Sequence, residues 1–92
     1  MEIELKINEI GNLKKLIINN LTMLNEEEFN SVVGDYKKIN DSLDELMFAI
    51  RNNQISISDA ILSLNALIEL YNNYNSNIYN NFEMNAKACY AA

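Results

Sequence analysis

Apolar residues in this chain recur at steps of three and four along three long stretches, the spacing that stacks side chains on one face of an α-helix. In the first stretch Ile3, Ile7, Ile10, Ile17, Leu21 and Leu24 fall on one face. Lys14 interrupts that stripe, and Gly11 weakens a helix by about 1 kcal/mol relative to alanine, which allows a bend or a later start there. Ile3, Leu5 and Ile7 also alternate with charged or polar residues, as a strand would. The one similar run is Ile55-Ser56-Ile57, and a two-stranded contact that short is marginal. Helix is therefore the reading from about Ile3 to Leu24.

Asn25 followed by Glu26, Glu27 and Glu28 reads as a helix N-cap with three carboxylates in the first turn, where the helix dipole favours negative charge. Asn25 and Glu28 also have capping-box spacing. Beyond them Phe29, Val32, Val33, Tyr36, Ile39, Leu43, Leu46, Met47 and Ile50 form a nearly heptad-spaced stripe, the strongest periodic signal in the chain. Arg51 stands at the end that favours a cation. Gly34 lies inside the stripe without changing its phase, which is read as a point of close packing.

Asn52-Asn53-Gln54-Ile55-Ser56-Ile57 reads as a connection ending at Ser58, which would cap a third helix beginning with Asp59. Ile55 or Ile57 is expected to tuck against the other helices. The third helix carries Ile61, Leu64, Ile68, Tyr71, Tyr74, Ile78 and Phe82 on one face, widened near its start by Leu62, Leu67 and Leu70. The run from Tyr71 to Asn85 (YNNYNSNIYNNFEMN) looks like low complexity, yet it keeps this stripe while its asparagines point elsewhere. A face so broad needs two neighbours. Short connections then predict an all-α fold, a small antiparallel three-helix bundle that takes up residues 1–92 as a single helical domain. The alternative is that Asn25 does not break the chain, so that the first two helices fuse into a long helical hairpin that dimerises to cover its seam.

Composition agrees with helices. Ninety-two residues with 49% hydrophobic and 22% charged content suit a folded chain rather than a disordered one. No proline and only two glycines leave few breaks for a turn-rich β architecture. A formal net charge of −6 disfavours direct contact with nucleic acid or an anionic membrane, and the lysine doublets Lys14-Lys15 and Lys37-Lys38 are too short to track a phosphate backbone. A neutral or basic protein partner is expected instead. The start Met-Glu-Ile-Glu lacks the basic and apolar regions of a secretory signal, and no apolar run is long enough to span a bilayer. Together with a lone Cys89, these features make the cytoplasm the expected location.

Chemistry narrows the function further. With no histidine and one cysteine, the chain lacks the commonest acid-base group and the usual ligands of zinc, haem and iron-sulfur sites. Its two glycines are isolated, so no phosphate-binding loop forms. No catalytic, cofactor-binding or metal-ligating residue is assigned, no cofactor is expected, and the chain is read as a non-enzyme. Asp41, Asp44 and Glu45 cluster on the outer side of the second helix, where Lys37 and Lys38 can pair with Asp41 one turn away. The plain reading of that cluster is a solvated, salt-bridged surface; the functional one is a face for a basic partner. Tyr71 and Tyr74 fall on the core stripe with hydroxyls expected at the surface, while Tyr79 and Tyr90 fall off it. Exposed tyrosine among asparagines is contact chemistry at protein interfaces. Asn, Ile, Tyr and Lys also share AT-rich codons, so genome composition raises all of them together without selection at any one site.

The spacing Tyr79-x-x-x-Glu83 resembles the carboxyl-side signal of the small helical-hairpin proteins of type VII secretion, whose central Trp-x-Gly turn is missing here. Asn40-Asp41-Ser42-Leu43-Asp44 is similar to the Ser-x-x-Leu-Asp segment of small sporulation phosphatases, with Asn40 where the serine would stand, and no activity is carried over. The function expected is that of a small acidic interaction protein that inhibits or adapts a protein partner, in the manner of immunity proteins or phage anti-defence proteins. The alternatives are a self-assembling structural or secreted helical protein, whose homo-oligomer seam is the broad face of the third helix, and an oligomer that sequesters a small molecule such as a nucleotide. The partner-binding candidates are Asp41, Asp44, Glu45, Tyr79 and Tyr90.

Overall fold

A computed structural model describes residues 2–91, with side chains over 2–78. Three α-helices follow one another: α1 Glu2–Leu21, α2 Glu26–Arg51 and α3 Ile57–Ala91. Among the described residues there is no strand. α1 starts at Glu2 and runs through Gly11 without a break, so neither the later start nor the strand reading holds. Ile3, Ile7 and Ile10 share the inner face while Leu5 is 69% exposed on the outer one, a helical and not an alternating arrangement.

The hairpin alternative fails at Asn25. α1 ends as its last carbonyls take tighter bonds, Met23 N–H donating to Asn20 O at 3.1 Å and Leu24 N–H to Leu21 O at 3.2 Å. Asn25 then turns to an extended backbone (φ −74°, ψ 172°) and its side chain accepts from Glu28 N–H at 2.8 Å, while Glu28 Oε1 accepts from Asn25 N–H at 3.0 Å. This reciprocal pair satisfies two of the donors that a helix start leaves open. α1 and α2 are therefore separate helices, and the outcome is a three-helix bundle.

α2 closes with a Schellman motif built on Asn53. Asn53 N–H donates to Ile50 O at 3.2 Å and Gln54 N–H to Ala49 O at 2.9 Å, with Asn53 itself at φ 54°. Asparagine is the residue after glycine that accepts this left-handed geometry. α3 begins two residues before the expected start, because Ser56 and not Ser58 is its cap: Ser56 Oγ accepts from Asp59 N–H at 3.1 Å, and Ser56 O accepts from Ala60 N–H at 2.9 Å. Ile55 is the isoleucine that tucks in, while Ile57 is exposed.

Contacts between helices set their directions. Lys6 Nζ donates to Asn65 Oδ1 at 2.7 Å and Asn20 Nδ2 to Asn75 Oδ1 at 2.6 Å, so α1 and α3 run parallel. Tyr71 hydrogen bonds to Asn40 and Tyr74 to Val32, so α2 and α3 run antiparallel. α3 is the helix shared by the other two, and α1 packs against it more closely than α2 does. The core comprises Ile10, Ile17 and Leu21 from α1, Tyr36 and Leu43 from α2, and Leu64, Leu67, Tyr71, Tyr74 and Ile78 from α3. Each such side chain removed from water contributes about 1.5–3 kcal/mol. Among the described residues, up to Ile78, the broad stripe of α3 is thus filled within the chain by α1 and α2, except at Leu62 and Leu70, which lie outside.

At 35 residues α3 outruns the 26 residues of α2 by about 13 Å at 1.5 Å per residue, which matches a molecule of 55 × 20 × 16 Å. Gly34 does not mark close packing. It is exposed, and a Cβ placed there would meet nothing within 4 Å, so the stripe keeps its phase simply because Gly34 lies on the outer side of α2.

Candidate functional site

Two places concentrate chemistry, one inside the α2–α3 seam and one on the outer face of α2. Within the seam, Tyr36 stacks on Tyr74 with ring centroids 5.6 Å apart and planes 13° from parallel, and meets Tyr71 edge-on at 6.4 Å and 72°. Both are favoured aromatic geometries. The hydroxyls of Tyr71 and Tyr74 do not reach the surface as the helical stripe suggested. Tyr71 donates to Asn40 Oδ1 at 2.6 Å, and Tyr74 to the main-chain oxygen of Val32 at 2.6 Å.

Burial, reinforced by Tyr36 and the Asp44 carboxylate, pushes the Tyr71 hydroxyl far above its ordinary range. Burial, with Asp35 and Tyr36, pushes Tyr74 up to about 12. Both phenols are held neutral at physiological pH, where they serve as hydrogen-bond donors and not as bases or nucleophiles. Among the described residues no buried side-chain polar atom is left without a partner, and no group of three or more His, Cys, Asp or Glu is placed to hold a metal ion.

The outer face of α2 differs. Asp41, Asp44 and Glu45 are all exposed, and at separations of three and four residues they are neighbours on one helical surface. Phe48 stands one turn after Asp44 and three residues after Glu45, and it is 61% exposed. An aromatic ring with three carboxylates around it forms an apolar contact rimmed by charge, the composition from which energetic anchors at protein interfaces are built. The α2 stripe passes Phe48 by, because the inner positions of that turn are Leu46, Met47 and Ile50. A phenylalanine out of phase with its own helix is the signal that could have singled it out.

Of the sequence candidates, Asp41, Asp44 and Glu45 are brought together on this face, whereas Tyr79 and Tyr90 lie outside the described side chains, as do Phe82, Glu83 and Cys89. The asparagines of the Tyr-rich run divide. Asn72, Asn73 and Asn77 are exposed as expected, but Asn75 is half-buried and bonded to Asn20. Among the described residues no helix is long and apolar enough to cross a membrane. Comparison with known proteins finds no family model, no curated protein and no solved structure that matches this chain.

Proposed function

We propose that this chain is a small, acidic, non-enzymatic interaction protein that binds a neutral or basic protein partner through the outer face of α2 and acts by occupying that partner's surface, as an inhibitor or adaptor. The observation that carries this reading is Phe48, a large aromatic side chain left 61% exposed beside Asp41, Asp44 and Glu45. Withdrawing a Phe ring from water is worth about 1.5–3 kcal/mol, and a partner that covers it gains this energy. The carboxylates select the partner's sign, since a net charge of −6 speeds encounter with basic surfaces and repels acidic ones. Hydrogen bonds that tie α2 to α3, Tyr71 to Asn40 and Tyr74 to Val32 O, hold that face on a well-packed support.

The test is native mass spectrometry of the chain purified gently from its own host. A one-to-one complex with a basic protein, absent from a Phe48→Ser preparation of unchanged helix content, is the expected result. A chain that never carries a second protein species would end the proposal.

A further inference from the structure

We draw no further inference here: the strongest candidate, the open groove between α2 and α3, mixes Leu46, Leu67 and Leu70 with Ser42, Ser63 and Glu45, and nothing in the structure shows what covers it.

Discussion

The Tyr71 hydroxyl donates to Asn40 Oδ1 across the α2–α3 seam at 2.6 Å, so a fully buried aromatic residue also helps to fix the register between these helices. A fully buried ring needs a partner for its one polar atom, and Asn40 is a half-buried amide placed to supply it. Tyr71→Phe keeps the ring and removes the donor, so it should lower unfolding free energy by about 1–2 kcal/mol. Tyr71→Ala also opens a cavity and should cost about 3–5 kcal/mol. Urea denaturation of the two variants checks both values, and equal losses would show that the hydroxyl, not the ring, dominates.

Alkaline pH should unfold the chain through the same residues. Tyr74 is raised from 10.0 to about 12 by burial, with Asp35 and Tyr36 adding to it, and Tyr71 is raised further. The folded state holds these protons more tightly than the unfolded state, so their stabilisation is complete below the ordinary tyrosine value. It is lost as pH climbs through 10 towards and beyond about 12. Urea midpoints should therefore fall between about pH 9 and about pH 11, and fall less steeply in Tyr74→Phe. Tyrosinate absorbance rising in step with loss of helix would confirm the linkage; a flat midpoint would contradict it.

The break between α1 and α2 rests on a single reciprocal cap. Asn25→Ala removes the acceptor for Glu28 N–H and should destabilise the chain by about 1 kcal/mol, whereas Asn25→Asp should keep most of the stability. Thermal unfolding of the pair distinguishes a working cap from a passive turn, in which both variants would match the wild type.

Gly34 is a site for stabilisation. Its surroundings are open and its helix is regular, so Gly34→Ala should raise stability by about 0.5–1 kcal/mol through reduced unfolded-state entropy. A loss on the same unfolding measurement would show that close packing exists there after all.

Much of this architecture was legible in the residues themselves. Asn25 with three glutamates marks a helix start by local chemistry alone, and the stripe from Phe29 to Ile50 names the inner face of α2 in all but its first member, Phe29, which is exposed in the first turn, because caps and periodicity act over one or two turns. What could not be read depends on how helices meet. Ser56 and Ser58 offer the same capping chemistry, and Ser56 does the capping in a helix that buries Ala60. Gly34 fits the spacing of a packed position and an exposed one alike. The tyrosine hydroxyls look free until α2 brings Asn40 and Val32 O within reach. Asp41, Asp44 and Glu45 were visible as a cluster, and Phe48 was legible beside them only as a ring out of phase with the stripe, its 61% exposure being set by how the helices pack.

The central claim, that the outer face of α2 binds a protein, is tested most directly by capturing partners from host lysate side by side on wild-type chain, Phe48→Ser and Asp41→Asn/Asp44→Asn/Glu45→Gln. The account predicts one basic protein held in stoichiometric amount by the wild type and lost from Phe48→Ser. On the triple variant it should be held with association slowed on the order of 10-fold, with weaker salt dependence. The same protein retained equally by all three would place the binding surface elsewhere and contradict the account.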